Sequence, residues 1–302
     1  MKIKQNKFGN SDKYISEISF GCGGFWGLPI FPIRDAEKLI ETAIEKGINF
    51  FDTGPNYSRG NAEKRMGNLL KHHKYNVFFA TKIGSYLSSS GRRVRDFSSE
   101  RINQSIHNSL KKLQTDRLFL VQFHGPSSDV LNDGYARDTL LKLKDEGKIK
   151  HIGVSGDGSI IEEAINISYI DCIMTTFNII TQSSFRNILN AKKHNKAVLI
   201  KSPLSHMTFS NNIFKINSIS KLWYILRILK NYKTTLFRAQ KYQFINSVKN
   251  WENTEIALKF ILENPNITST VIGTTKLIHL EKNIQTCFRE NLPGNVVDRL
   301  IE

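Results

Sequence analysis

The chain has 302 residues, 40% of them hydrophobic, and a formal net charge of +16. This length allows one large hydrophobic core, and no linker rich in proline, glycine or serine divides it, so a single domain covering residues 1–302 is predicted. The polar N-terminus lacks the apolar stretch of a signal peptide, and no apolar run is long enough to span a membrane, which predicts a cytoplasmic protein.

The first predicted element is a small hairpin in KIKQNKFGNSDKYI, which would close the floor of a barrel, meaning the end where its strands begin. From there, β-branched or aromatic runs alternate with longer amphipathic stretches, and the alternation repeats eight times. Such a repeat is typical of parallel βα units, so we predict an α/β fold of the (β/α)8 TIM-barrel class. The predicted strands cover residues 18–24, 48–53, 77–84, 117–125, 151–156, 169–178, 197–203 and 268–275.

Amphipathic helices are predicted between these strands. Asp35 and either Ser98 or Ser99 are predicted N-caps, because their side chains accept hydrogen bonds from the first turn of a helix. Gly47 and Gly147 fall where a helix commonly ends in a left-handed residue. The clearest amphipathic segments cover residues 35–47, 98–113, 136–148 and 254–265.

The interval between Ser202 and Gly273 is longer than one βα unit requires, which predicts an insertion at 204–250 after strand seven. No acidic residue occurs between Cys172 and Trp251, and ISKLWYILRILKNY within the insertion predicts an amphipathic helix. We predict a lid that selects an anionic substrate or docks an acidic partner, with a membrane-surface helix and a solvated helix as alternatives. Nucleic acid is not an expected partner, because no recognised binding module accompanies the charge. The basic residues of the insertion are Lys215, Lys221, Arg227, Lys230, Lys233, Arg238, Lys241 and Lys249.

Ionisable side chains end three neighbouring strands of the predicted barrel. Asp52 ends strand two and Tyr57 follows it, Lys82 lies near the end of strand three, and His124 ends strand four. Each alone suits an ordinary structural role, but together they would converge on the barrel mouth, meaning the end where the strands finish.

These four side chains form a coherent chemical group. A free tyrosine has a pKa of about 10 and protonates a carbonyl oxygen poorly unless a cation stabilises the phenolate. Lys82 supplies that cation, Asp52 holds it, and a neutral His124 orients the carbonyl. The group contains no reductant, which predicts that a cofactor supplies a hydride.

The three cysteines, Cys22, Cys172 and Cys287, are odd in number and widely spaced. We therefore predict reduced thiols and no metal site.

The segment GINFFDTGPNYSRGNAEKRMG resembles the GxNxxDTAxxYGxxE signature of the aldo-keto reductase family. ATKIG resembles the strand-three lysine motif of that family, and TDRLFLVQFHGP resembles its strand-four histidine motif. The resemblance implies an oxidoreductase that transfers a hydride between NADPH and the carbonyl of an aldehyde or ketone. It implies that Tyr57 is the proton donor, assisted by Lys82, Asp52 and His124, and it places a family glutamate on Glu63.

The resemblance also implies a site for NADP(H). VIGTTKLIHLEKNI resembles the family segment that holds the adenosine 2′-phosphate and adenine. Hydroxyls, backbone donors and a lysine where a helix opens suit a phosphate dianion on physical grounds as well. The residues implied there are Gly273, Thr274, Thr275, Lys276, His279 and Asn283. Ser155 and the turn Ser202, Pro203 and Leu204 match the nicotinamide and pyrophosphate ends.

Some positions differ from the family pattern. Asn, Gln and an aromatic residue of the family are replaced by Gly156, Met174 and Lys201, and Asn178 is close enough in sequence to compensate partly. A family aspartate is replaced by Phe119, which predicts a change in packing. Two other functions stay open at this point. One is an aldolase that forms a Schiff base on Lys82, and the other is a nicotinamide-binding regulatory subunit with little turnover.

Overall fold

The computed structural model describes residues 1–88, 90–210, 225, 229 and 233–301. Eight parallel strands close into a barrel in the order β10, β11, β12, β3, β4, β5, β8 and β9. The strands are β1 Gln5–Lys7, β2 Tyr14–Ser16, β3 Ile18–Gly21, β4 Phe50–Asp52, β5 Phe78–Ile83, β6 Ser85–Leu87, β7 Arg93–Arg95, β8 Leu118–His124, β9 Ile149–Ser155, β10 Cys172–Thr176, β11 Ala197–Lys201 and β12 Ser269–Ile272. All eight predicted barrel strands and the (β/α)8 class are confirmed.

Helices surround the barrel and connect its parallel strands. The α-helices are α1 Ile33–Glu45, α2 Ala62–Leu70, α3 Ser99–Leu113, α4 Ser128–Asn132, α5 Gly134–Asp145, α6 Ser159–Asn166, α7 Phe185–Lys193, α8 Lys233–Ala239, α9 Asn253–Leu262, α10 Leu277–Cys287 and α11 Gly294–Ile301. Short 3₁₀ segments lie at Gly24–Gly27, Tyr57–Gly60, Ser205–Met207 and Gln240–Ser247. Within the described ranges, no helix is long and apolar enough to cross a membrane.

The helix ends follow the predicted signals with one exception. Ser98 caps α3, because its Oγ accepts a hydrogen bond from the Arg101 backbone N–H at 3.4 Å. Gly47 and Gly147 have φ values of 96° and 72°, as expected beyond a helix end. The prediction that Asp35 is an N-cap was wrong. The helix begins earlier, with Pro32 as its cap, and Asp35 lies in the first turn.

The hairpin of β1 and β2 closes the floor of the barrel, as predicted. Phe8, in the turn of the hairpin, and Ile15 on β2 are buried in the apolar cluster that fills the floor. Phe119 lies in this cluster with its ring centre 4.9 Å from that of Phe8, so its side chain has a packing role here. Apolar side chains thus fill most of this end of the barrel, where the His151 ring also packs against Phe8 and Phe119.

Part of the predicted insertion packs on a second apolar cluster beside the barrel. Tyr242 and Ile245 from the insertion are buried there against Ile180 and the C-terminal helix α11. The four basic residues of the insertion that the structure describes have exposed side chains: Lys233, Arg238, Lys241 and Lys249. The other four basic residues of the insertion lie outside the described residues: Lys215, Lys221, Arg227 and Lys230. Nearly all of the predicted amphipathic helix lies outside them as well. The assignment of 1–302 to one domain stays a prediction.

Candidate active site

A buried ion pair lies at the centre of the barrel mouth. Lys82 Nζ on β5 donates to Asp52 Oδ2 on β4 at 2.6 Å and to the Thr53 carbonyl at 2.8 Å. Only 1% of Lys82 and 4% of Asp52 are exposed. Burial favours the neutral amine, but the Asp52 carboxylate and the Tyr57 side chain outweigh it and raise the pKa of Lys82. The ammonium is therefore a fixed positive charge in a site of low dielectric.

Gln122 supports this pair, although the sequence reasoning missed it. Its Nε2 donates to Asp52 Oδ1 at 3.1 Å, so each Asp52 oxygen has a donor. Gln122 lies two residues before His124 on β8, and alternate residues of a strand face the same side. That period-two relation to His124 is the signal that could have found it.

Tyr57 lies at the mouth directly above the ammonium. Lys82 Nζ is 4.9 Å from the centre of the Tyr57 ring. A Cβ atom on Gly23 would lie 3.0 Å from the ring, and one on Gly54 would lie 3.2 Å from it, so two glycines allow the chain to pass close to both sides of the phenol. The residues that follow, Ser58 and Arg59, have φ values of 52° and 58°. The turn thus holds Tyr57 in a narrow slot through an uncommon backbone conformation.

His124 completes the group at the end of β8. Its ring centre is 6.0 Å from that of Tyr57. Burial, followed by the positive charges of Lys82 and Arg93, lowers the pKa of His124 to about 3. The imidazole is therefore neutral at physiological pH, with one ring nitrogen able to donate and the other able to accept.

We expect His124 to stay neutral from pH 8 down to pH 5, the range in which a free histidine titrates. Imidazole NMR of the protein labelled with ¹⁵N on histidine should show no titration of this ring over that range, with His124→Gln used to assign the resonance. Because the folded pKa is depressed, this histidine contributes stability above about pH 6.5 that is lost as the pH falls toward about 3. A titration midpoint between pH 6 and 7 would contradict the buried, cation-flanked position.

A cleft of about 730 Å³ extends from the turn after β11 to the first turn of α10. Seven residues assigned to the cofactor from the sequence line this cleft: Ser202, Pro203, Leu204, Gly273, Thr274, His279 and Asn283. Glu252 and Lys282 line it as well, and Lys282 Nζ lies 2.6 Å from Glu252 Oε1. The sequence reasoning missed this pair, because Glu252 stands far from α10 in the chain.

Two further assigned residues, Thr275 and Lys276, lie in the turn before α10 and are not among those that line the cleft. The Lys276 backbone N–H donates to Thr274 Oγ1 at 3.1 Å, so the turn is internally bonded. The helix itself has no side-chain cap at its N-terminus. Its first amides therefore lack the usual capping oxygen, as is common where a helix receives an anion.

The remaining two assigned residues lie at the ends of strands five and six of the barrel. Ser155 is buried at the end of β9, where it pairs with Met174. The Asn178 amide holds the turn after β10. Its Nδ2 donates to the Ser202 carbonyl at 3.0 Å, and its Oδ1 accepts from the backbone N–H groups of Ile180 and Thr181. Most of its hydrogen-bonding capacity is thus used within the protein.

The three positions that differ from the family pattern have local explanations. A Cβ atom on Gly156 would lie 2.6 Å from the Ile160 side chain, so a larger residue here would require that side chain to shift. Lys201 Nζ donates to the Gly156 carbonyl at 3.1 Å and lies 2.9 Å from Asp157 Oδ2. Lys201 therefore ties strand seven to the turn after strand five. Met174 is buried among apolar side chains inside the barrel.

Glu63, which the sequence resemblance had singled out, lies away from the mouth. Its Oε1 accepts from Thr81 Oγ1 and from Ser109 Oγ, each at 2.7 Å, and its side chain is buried. These bonds join α2 to β5 and α3, which is a structural role.

The three cysteines are free thiols. Among the residues that the structure describes, no group of three or more His, Cys, Asp or Glu is arranged to hold a metal ion.

A closed parallel barrel with ionisable side chains grouped at its C-terminal mouth is the architecture of TIM-barrel enzymes. The sequence model of the aldo/keto reductase family matches residues 17–302, and the chain belongs to this family of oxidoreductases. Members of the family use a nicotinamide cofactor and act on small carbonyl compounds.

Full-length relatives agree with this membership. The uncharacterized oxidoreductase YqkF of Bacillus subtilis is 26% identical over 305 residues, covering 99% of this chain and 95% of YqkF. The NADH-specific methylglyoxal reductase of Escherichia coli is 25% identical, covering 93% of each chain. The holo structure of aldo-keto reductase AKR11C1 from Bacillus halodurans superposes with a TM-score of 0.81 at 23% identity, covering 99% of this chain and 95% of that one.

Proposed function

We propose that this protein transfers a hydride between NADPH and the carbonyl of an aldehyde or ketone, with Tyr57 as the proton donor. The observation that carries the proposal is the arrangement at the mouth. The Lys82 ammonium, held by Asp52 at 2.6 Å, lies 4.9 Å from the centre of the Tyr57 ring. A tyrosine beside a fixed cation is a proton donor whose phenolate is stabilised as it forms.

Each member of the group has a separate task in the proposed reaction. Tyr57 Oη donates its proton to the carbonyl oxygen as charge develops there. Lys82 stabilises the phenolate that is left behind, and Asp52 keeps Lys82 in place. Neutral His124 donates an N–H bond that orients the carbonyl. When bound, the reduced nicotinamide supplies the hydride.

The residues of the cleft fit such a cofactor. Hydroxyls and amides line it from Ser202 to Asn283, and the uncapped N-terminus of α10 presents backbone N–H groups to an anion. No acidic residue lies in the first turn of α10, and Lys276 is its N-cap residue. Burial, Lys276 and Lys282 lower the pKa of His279, which also lines the cleft.

We expect the protein to prefer NADPH to NADH, with Lys276 as the main contact of the 2′-phosphate. A hydrogen bond to a charged group is worth roughly 1.5 to 3 kcal/mol, so Lys276→Ala should reduce the preference by at least about tenfold. Fluorescence titration with both cofactors measures the ratio of the two affinities. Lys64→Ala on the exposed face of α2 is the matched control. Equal affinity of the wild type for the two cofactors would refute the assignment.

The environment of Lys82 disfavours the alternative function of an aldolase that forms a Schiff base on this residue. Lys82 donates to both Asp52 and the Thr53 carbonyl, and its raised pKa keeps the amine protonated. An amine must lose its proton before it attacks a carbonyl. A regulatory subunit remains the second candidate, because Gly156, Met174 and Lys201 change the positions where the family holds the carboxamide.

A cofactor-coupled screen separates these two functions. Purified protein with NADPH would be tested against aldehydes, keto-sugars and their phosphorylated or nucleotide-linked forms. The proposal expects oxidation of NADPH with at least one carbonyl class. Tight cofactor binding without turnover over the whole panel would favour the regulatory function.

The described part of the insertion at 204–250 offers a basic surface to a possible binding partner. The exposed cations Lys233, Arg238, Lys241 and Lys249 suit an acidic partner or an anionic membrane surface, and equally a solvated surface. We propose that the protein acts in the cytoplasm. Sedimentation of the protein with vesicles of acidic lipid tests the membrane contact, which would be dismissed if acidic and neutral vesicles behaved alike.

A further inference from the structure

The β6–β7 hairpin places two arginines at the mouth of the barrel. Arg93 Nη2 lies 3.4 Å from His124 Nε2, and Arg95 Nη1 donates to the Gly125 carbonyl. Both residues are exposed, yet Arg93 reaches His124, the residue that is proposed to orient the carbonyl, and Arg95 reaches the backbone beside it. The sequence predicts substrate-selecting charge on the insertion at 204–250, whereas these two arginines lie on a different loop of the barrel mouth.

A hydrogen bond to Ser85 holds the Arg93 side chain toward His124, and Asn56 holds Ser85 in turn. Its Nε donates to Ser85 Oγ at 2.7 Å, and the same oxygen accepts from Asn56 Nδ2 at 2.8 Å. Asn56 is the neighbour of Tyr57 in the chain, and Ser85 is 1% exposed. The guanidinium is thus tied to the turn that carries the proposed proton donor.

Among the described residues, no acidic side chain neutralises the charge of the two arginines. Throughout the described part of the chain, neither Arg93 nor Arg95 forms an ion pair, whereas Lys82 pairs with Asp52 and Lys201 pairs with Asp157. An exposed arginine on a hairpin commonly points into solvent. Here Arg93 instead turns toward the His124 ring and Arg95 toward the carbonyl of the next residue, Gly125. Both guanidinium groups thus lie at the mouth, where fork-shaped donors suit a carboxylate or phosphate.

The contact with His124 adds a second argument. A guanidinium only donates hydrogen bonds, so beside Arg93 the Nε2 atom of the neutral ring accepts and cannot donate to a carbonyl. An anionic group that draws Arg93 toward itself would free Nε2 to take the ring proton, with Nδ1 giving it up, and then to donate to the carbonyl. Binding of the anion would then also prepare His124 for its task.

We propose that the substrate of this site carries a carboxylate or phosphate group a few bonds from its carbonyl, and that Arg93, seconded by Arg95, binds it. This inference rests on the proposed function for the carbonyl and on the hairpin geometry for the anion. Arg93 is a specificity-determining residue in this view, since it contacts the part of the substrate that does not react.

The test uses two aldehydes that differ only in charge, meta-carboxybenzaldehyde and meta-formylbenzamide. We expect the wild type to prefer the carboxylate, measured as the ratio of the two kcat/KM values. In Arg93→Gln this ratio should fall by at least about tenfold, as for the loss of a charge-assisted hydrogen bond. Arg92→Gln removes the same charge from the same hairpin, and its ratio should match the wild type. An equal ratio in Arg93→Gln and Arg92→Gln would overturn the proposal.

Benzoate binding gives a readout that needs no turnover. Calorimetric titration of the NADP-loaded protein should show benzoate affinity reduced at least about tenfold in Arg93→Gln and unchanged in Arg92→Gln. If benzoate affinity falls in Arg93→Gln but neither these aldehydes nor any carbonyl of the screen is reduced, the anion site stands and the proposed function falls. If both aldehydes are reduced but benzoate binds the wild type and Arg93→Gln alike, the function stands and the anion site falls.

Discussion

Replacing Tyr57 with phenylalanine is expected to lower kcat for carbonyl reduction by at least about a hundredfold, since general acid catalysis contributes roughly 10²–10⁴ in rate. The ring of the variant still fits the slot between Gly23 and Gly54, so only the hydroxyl is lost. The phenol donates its proton in the transition state, and cofactor affinity should therefore change little.

Two measurements on the same preparation check this result: turnover with a carbonyl found in the screen, and cofactor affinity by fluorescence titration. Tyr75→Phe is a matched control. Tyr75 also has a lysine over its ring, with Lys74 Nζ 5.0 Å from the centre, but it is exposed at the surface. Turnover of Tyr57→Phe close to that of Tyr75→Phe would remove Tyr57 from its role.

Replacing Lys82 with methionine should abolish activity and also destabilise the fold. The substitution leaves the Asp52 carboxylate buried without its 2.6 Å partner, and loss of one member of a buried ion pair costs roughly 3 to 5 kcal/mol. Because the pKa of Lys82 is raised, its contribution to stability is complete at neutral pH and is lost only in alkali. Urea unfolding at pH 7 measures the free energy of unfolding.

The double variant Asp52→Asn with Lys82→Met separates stability from catalysis. It removes both charges, so most of the stability lost in Lys82→Met should return, while turnover should remain absent because no cation lies beneath Tyr57. Recovery of activity together with stability would mean that Lys82 serves only the fold. Lys64→Met on the exposed face of α2 should affect neither quantity.

The fold was predictable because barrel strands leave a strong mark in the sequence. Eight apolar runs separated by amphipathic stretches predict the order of the parallel strands. Because parallel strands end at the same mouth, this order alone predicts that Asp52, Lys82 and His124 lie together there.

The wrong prediction for Asp35 concerns the start of a helix. N-capping oxygens and first-turn carboxylates favour the same end of a helix, so the sequence placed the start a few residues late.

The rest of the site depends on contacts between segments distant in the chain. Lys282 and Glu252 meet across the cleft from α10 and from the residue before α9, and no periodicity relates them. Arg93 lies in a run of basic residues that reads as ordinary surface charge. Only the hairpin that folds β7 back beside β6 turns its guanidinium toward His124.

Transfer of deuterium tests the central claim most directly. The protein would be incubated with NADPH in which deuterium replaces both hydrogens at the reactive carbon of the nicotinamide, together with a carbonyl compound found in the screen. The alcohol would be analysed by mass spectrometry. We expect one deuterium on the carbon of the former carbonyl with the wild type, and no labelled alcohol with Tyr57→Phe over the same time. Alcohol formed without the label, or labelled equally by both proteins, would contradict the account.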